Sequence, residues 1–149
     1  MKYTLFALAM FVSFVSNAQV IFDSKPVSNK NWSEFLQFTQ NDPTFVQQHK
    51  ISLLPDNWKA VKTSDAEKAV YGVSFQQAQA YCEWRSVVST YLQNHSKPNS
   101  YKAMKAANAL AKQSIEYRLP TEKEFEKLSA SKPFQGGGFI CAKVIKKIA

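Results

Sequence analysis

Apolar residues recur at three- and four-residue steps in two long segments of the chain, a pattern that predicts amphipathic helices. The first segment follows Ser28, a residue type that caps helix N-termini, and its inner face comprises Trp32, Phe35, Leu36 and Thr39. Asn41-Asp42-Pro43 breaks this helix or marks its end. The sequence therefore predicts a helix that begins just after Ser28 and stops before the proline.

The strongest helix signal begins at Ser74, which forms a capping box with Gln77. The predicted buried face of this helix comprises Ala78, Tyr81, Cys82, Arg85, Val88 and Leu92. We expect Cys82 to point into the core and the long side chain of Arg85 to extend to its edge.

Three short segments are predicted to be strands. Val20-Ile21-Phe22 is an apolar run, and residues 117–119 are extended because the proline that follows disfavours a helical residue before it. Residues 139–144 form a closing strand in which Phe139 and Cys141 share one face.

Two further helices are predicted in the second half. Residues 101–115 are rich in alanine and lysine and place four apolar residues on one side: Met104, Ala107, Leu110 and Ala111. Thr121 and Glu124 form a second capping box, which opens a short helix with Phe125 and Leu128 inward.

Two loops complete the predicted organisation. We expect Trp58 to be a buried core residue whose indole makes one hydrogen bond. The glycines at 136, 137 and 138 indicate a flexible turn.

The formal net charge of +8 is spread along the chain. Only Lys143, Lys146 and Lys147 are clustered, and no aromatic residues alternate with them as a single-strand-binding groove requires. We therefore expect a solvated basic surface and no nucleic-acid partner, because net charge sets solubility and non-specific attraction. Weak attraction to anionic surfaces or polysaccharides stays open.

The first eighteen residues are typical of a signal peptide. Lys2 supplies a charge, residues 3–15 are an apolar run, and Ser16-Asn17-Ala18 offers small residues where a signal peptidase cuts. The run is shorter than the roughly 20 apolar residues that span a bilayer, and a membrane anchor is the alternative. Residues 19–149 are predicted to form one exported domain, periplasmic or secreted, with no later membrane span.

Two cysteines in an exported chain usually form one disulfide. A bridge between Cys82 and Cys141 would stabilise the fold by roughly 4 kcal/mol through the entropy of the unfolded chain. Two free buried thiols are the alternative.

Four strings in this order resemble the formylglycine-generating enzyme (sulfatase-modifying factor) family. They are Val73-Ser74-Phe75, Tyr81-Cys82-Glu83-Trp84-Arg85, Tyr117-Arg118-Leu119-Pro120-Thr121-Glu122-Lys123-Glu124-Phe125-Glu126 and Gly138-Phe139-Ile140-Cys141-Ala142. Residues 26–36 also look like the opening motif of the family, although Pro26 replaces an acidic residue.

The resemblance implies an α+β fold, a shortened C-type-lectin-like architecture with few short strands and two main helices. The chain departs from the family at an inserted helical segment, about residues 96–115. The resemblance implies a bond between Cys82 and Cys141, since the helix and last-strand cysteines of the family are typically joined. It also implies a structural role for these positions: Trp32, Phe35, Trp58, Ser74, Tyr81, Trp84, Arg118, Leu119, Pro120, Thr121, Glu124 and Phe139.

The chemistry of the family is expected to be missing. A short stretch separates Glu126 from Phe139, where the resemblance implies a long one with catalytic and metal-binding residues. The copper-binding cysteine pair of the family would need cysteines beyond the two assigned to the bridge. Iron-dependent relatives need grouped histidines, whereas His49 and His95 are far apart on predicted loops and expected to be exposed.

Glu122, Glu124 and Glu126 do not suggest a catalytic group, because residues two apart on a helix face different ways. We therefore expect no catalytic residue, no metal site and no cofactor.

The leading hypothesis is a non-catalytic exported domain that binds an envelope protein or a glycan, or has a structural role. The alternatives are an enzyme of the family with an unrecognised site and a degenerate remnant. The inserted helix is the candidate partner face, and deletion of residues 96–114 is expected to leave a folded protein that loses its partner.

Overall fold

The computed structural model describes residues 19–131 and 138–148. These residues form the predicted α+β fold, with five helices and a small antiparallel sheet. The helices are α1 (Asn29–Thr39), α2 (Pro43–His49), α3 (Phe75–Leu92), α4 (Tyr101–Asn108) and α5 (Glu122–Ser131). The strands are β1 (Val20–Phe22), β2 (Gln113–Arg118) and β3 (Ala142–Lys147), and two 3-10 turns, Trp58–Ala60 and Thr63–Asp65, lie between α2 and α3. The predicted signal peptide and the glycines at 136 and 137 lie outside the described residues.

The last strand lies in the middle of the sheet, in the order β1-β3-β2. Ala142 faces Phe22 on one side and Arg118 on the other, so the ladder begins there. The closing strand predicted over residues 139–144 is therefore wrong in its bounds. Phe139 precedes the strand, and its carbonyl oxygen accepts a hydrogen bond from the Val27 N–H at 2.9 Å instead.

Aromatic side chains fill the core between α1, α2 and α3. Trp32 and Phe35 are fully buried, and Trp32 stacks on Tyr81 with ring centroids 5.6 Å apart. Phe35 packs against Trp84 at 5.4 Å. The Trp32 indole donates from Nε1 to the Leu53 carbonyl oxygen at 3.2 Å, which satisfies its one polar group.

The three predicted helix caps are confirmed. Ser28 accepts a hydrogen bond from the backbone N–H of Asn31 at the start of α1, and Ser74 and Gln77 form a reciprocal capping box at α3. Thr121 and Glu124 exchange the same pair of bonds at α5. These contacts satisfy N–H groups that no helical carbonyl can reach.

The sequence did not predict α2. Asp42 and Pro43 end α1, but they also begin the next helix as its N-cap and its first residue. The Asp42 carboxylate accepts hydrogen bonds from the N–H groups of Thr44 and Phe45. Phe45 is fully buried, so this short helix contributes to the core.

The helix predicted over residues 101–115 is wrong in its second half. It ends at Asn108, and residues 113–115 belong to β2 because they pair with β3. Leu110 is 89% exposed, whereas Tyr101 and Met104 are buried where α4 packs against α2 and α3. The inserted segment therefore contributes Tyr101 and Met104 to the core.

Three apolar side chains lie further out than the sequence predicted. Phe125 is 52% exposed, Leu92 at the end of α3 is also exposed, and Trp58 is half-buried at the edge of the core. Periodicity identifies an apolar face but not what covers it. Among the described residues no helix is long and apolar enough to cross a membrane.

Candidate functional site

The two cysteines meet where α3 crosses the sheet. Cys82 lies on the buried face of α3, and Cys141 directly precedes β3. Their sulfurs are 2.8 Å apart, and both side chains are free thiols in this structure. The geometry brings the predicted partners together, and the disulfide itself stays a prediction.

An ion pair fixes the backbone beside these cysteines. Asp23, just after β1, accepts hydrogen bonds from both terminal nitrogens of Arg85 at 2.6 and 3.0 Å. Its carboxylate also accepts from the Cys141 N–H at 3.0 Å. The Arg85 guanidinium lies 4.0 Å from the centre of the Tyr117 ring. The prediction that Arg85 only extends to the edge of the core misses this role.

The surroundings keep the Cys82 thiol protonated. The hydrogen bond with Cys141 and burial both raise the pKa of Cys82 well above its ordinary value. Burial likewise raises the pKa of Tyr81. Burial alone would lower the pKa of Arg85, but the hydrogen bond and charge of Asp23 raise it. Since the thiolate is the nucleophile and metal ligand, a thiol held neutral is poorly suited to either role.

The predicted acidic trio does not converge. Glu124 forms two hydrogen bonds with Arg118, at 2.8 and 2.9 Å, and caps α5 through Thr121. The Arg118 hydrogen bond, followed by that of the Thr121 N–H, lowers the pKa of Glu124 to about 2. Glu122 and Glu126 are exposed. This part of the motif therefore orients the start of a helix.

A polar cluster joins α4 to α2 and α3. The Tyr101 hydroxyl donates to Glu83 Oε1 at 3.0 Å, and the Gln48 amide donates to the same oxygen. His49 Nε2 lies 3.2 Å from Glu83 Oε2. The expectation of an exposed loop position is wrong for His49, which ends α2 and is half-buried, whereas His95 is exposed beyond α3.

A cavity of about 510 Å³ lies between α1 and the 3-10 turns, and we call it the α1 cavity. Asn29, Ser33 and Gln37 line it from successive turns of α1. Trp58 and Lys62 line it from the opposite side. The sequence did not predict this site. The spacing of the polar residues on α1 is visible in the sequence, but it does not show that this face of the helix lies opposite Trp58.

The motif positions named from the sequence fall into three groups. Trp32, Phe35, Tyr81 and Trp84 are core residues; Ser74, Arg118, Thr121 and Glu124 are in or beside helix caps; Trp58, Leu119, Pro120 and Phe139 are half-buried. Within residues 19–131 and 138–148, no group of three or more His, Cys, Asp or Glu residues could hold a metal ion.

A family model described as the sulfatase-modifying factor enzyme 1-like domain matches residues 14–144. The chain belongs to this family. No curated protein and no solved structure matches the chain. The match begins inside the predicted signal peptide and extends into β3. Membership in this sulfatase-modifying-factor-like family agrees with the order of the sequence motifs and leaves open whether this member is catalytic.

Proposed function

We propose that this member of the sulfatase-modifying-factor-like family is a non-catalytic exported domain that binds an envelope protein or a glycan. One observation carries the non-catalytic part. The full sequence contains two cysteines, and both are buried against each other at the junction of α3 and β3. No cysteine is left over to form the copper-binding pair that resemblance to the family implies.

The charged groups in the motifs support the same reading. Arg85 pairs with Asp23, and Arg118 pairs with Glu124, so each motif arginine has a structural partner. Catalytic groups are usually tuned toward the working pH. Here the Arg118 hydrogen bond lowers the pKa of Glu124, a shift away from neutrality.

The partner face proposed on the inserted segment becomes smaller. Tyr101 and Met104 are core residues, so only the outer side of α4 and the turn after it remain available. That outer side includes Lys102 and Ala106 of α4, followed by the strongly exposed Leu110 in the turn. These exposed residues are the part of the inserted segment that a partner could contact.

The experiment that tests the non-catalytic part uses purified full-length chain. Copper is added, a cysteine-containing peptide is supplied, and mass spectrometry follows conversion of the thiol to an aldehyde. We expect neither stoichiometric copper binding nor aldehyde. Two results would overturn the proposal. One is copper or iron bound stoichiometrically to the purified protein, and the other is formation of the aldehyde.

Affinity capture from envelope extracts tests the binding part. The wild-type chain is compared with Leu110→Ser, and Ala109→Ser is the matched control because it changes a neighbouring exposed residue in the same turn. A partner that is captured reproducibly and lost only with Leu110→Ser supports this face. A chain that captures neither protein nor glycan in repeated trials contradicts a binding function.

A further inference from the structure

Hydrogen bonds hold the two walls of the α1 cavity together. The N–H groups of Asn29 and Lys30 donate to the carbonyl oxygens of Lys68 and Ala66, each at 2.9 Å. The Asn29 side-chain nitrogen donates to the Asp65 carbonyl oxygen at 2.9 Å. The segment that contains the 3-10 turns, residues 58–68, is therefore held to the first turn of α1 by these hydrogen bonds. A cavity built in this way is preformed, as small-molecule sites usually are.

Among the residues that the structure describes, one polar atom of this wall lacks a hydrogen-bond partner. Asn29 is 7% exposed, and its Oδ1 is buried without a hydrogen bond to any described residue. The amide cannot simply be rotated, because its nitrogen already donates to Asp65. A buried acceptor without a donor costs about 1–3 kcal/mol. This acceptor is closed off from the cavity, so contacts to a ligand would come from the accessible lining residues instead.

Trp58 gives the cavity its apolar surface. Its side chain packs partly against the core and also lines the cavity, so it is held in place yet reachable. Ser33, Gln37 and Thr63 surround the same space with groups that both donate and accept hydrogen bonds. A sugar ring has this combination of surfaces, with an apolar C–H face and hydroxyl groups around its edge.

The charges in the lining select among sugars. Lys30 and Lys62 contribute two ammonium groups, and Glu34 contributes one carboxylate. All three are exposed, so they can reorient toward a ligand. The excess positive charge favours a sugar that carries a carboxylate, because a charge-assisted hydrogen bond is stronger than a neutral one.

We propose that the α1 cavity binds one uronate residue of an acidic saccharide. The ring lies against Trp58, its hydroxyl groups face the polar lining formed by Ser33, Gln37 and Thr63, and the carboxylate pairs with Lys30 and Lys62. This inference rests on the proposed binding function and assigns its ligand class and its site.

Calorimetric titration of the full chain with tetragalacturonate tests the assignment, and the methyl ester of the same oligosaccharide is the control without charge. We expect the acid to bind and the ester to bind at least about tenfold more weakly. The double variant Lys30→Gln/Lys62→Gln should weaken acid binding by about tenfold. The double variant Lys123→Gln/Lys127→Gln on α5 makes the same charge change at exposed positions outside the cavity and should leave affinity unchanged.

Trp58→Ala should abolish detectable binding, and circular dichroism shows whether that variant remains folded. If it unfolds, the lysine variant still decides the question, since both lysines are exposed. Equal binding of acid and ester overturns the ligand class, and undiminished binding by the folded lysine variant overturns the site. No binding by the wild type overturns the inference as a whole. The broader binding function survives that result if envelope capture still depends on Leu110.

Discussion

The ion pair between Asp23 and Arg85 gives the sharpest stability prediction, for the variant Arg85→Met. The two side chains share two hydrogen bonds and are only 20% and 27% exposed. Methionine keeps much of the length of the side chain and removes the charge. Asp23 would then keep the Cys141 N–H as a partner but lose both bonds to the guanidinium.

The expected cost follows from the burial of the pair. Exposed ion pairs contribute at most about 1 kcal/mol. Breaking a fully buried pair costs about 3–5 kcal/mol because one charge is left without compensation. The partial burial of Asp23 and Arg85 lies between these limits, and the contact of Arg85 with Tyr117 adds about 0.5–1 kcal/mol. We expect Arg85→Met to lower the free energy of unfolding by about 2–3 kcal/mol.

Urea unfolding followed by circular dichroism measures this cost. Lys146→Met is the matched control, because Lys146 pairs with Glu116 at an exposed position of the same sheet and should cost less than about 1 kcal/mol. A double-mutant cycle with Asp23→Asn should give a coupling of about 1–2 kcal/mol. If the two methionine variants lower the free energy of unfolding equally, or if the cycle shows no coupling, the pair between Asp23 and Arg85 does not stabilise the junction of β1 with the start of β3.

Three other measurements test separate parts of the structure. The pKa of Glu124 is lowered to about 2 from an ordinary value of 4.5, so its contribution to stability is present above pH 4.5 and lost as the pH falls toward 2. Because the Glu124 side chain is 24% exposed, we discount that contribution to about 1 kcal/mol. Glu124→Gln should lower the free energy of unfolding in urea at pH 7 by this amount and should weaken its dependence on pH below 4.5. Glu122→Gln should change neither quantity. Non-reduced exported protein should resist alkylation at both cysteines in intact-mass analysis and lose roughly 4 kcal/mol of stability on reduction; two alkylatable sulfurs would contradict the bridge. The sequence predicted that a chain without residues 96–114 would stay folded, but this deletion removes the buried Tyr101 and Met104 and the start of β2. We therefore now expect the deleted chain to lose cooperative unfolding, and a folded product would show that this segment is an appendage.

Local signals in the sequence were sufficient for the helix starts. A capping box depends on two residues three positions apart, and the pairs at Ser74 and Thr121 form as the sequence predicts. The same local logic failed at Asp42. A break between helices and the N-cap of a second helix use the same residue types, so composition alone does not separate them.

Long-range partners could not be predicted in the same way. Arg85 and Asp23 are 62 positions apart, and nothing in the spacing of either residue indicates the other. The end of α4 depends on β3, because residues 113–118 become a strand only where β3 offers hydrogen bonds. Periodicity over residues 101–115 therefore predicted too long a helix. The α1 cavity was missed for a similar reason, since its walls come from separate segments.

The position of β3 has a consequence for how the chain is made. In the described sheet, β1 and β2 do not pair with each other, and each pairs with residues 142–147. Residues 142–147 must leave the ribosome before any part of this sheet can close, since folding by distant contacts waits for the later partner. During synthesis the residues of the aromatic cluster in α1, α2 and α3 therefore emerge before the sheet can be completed.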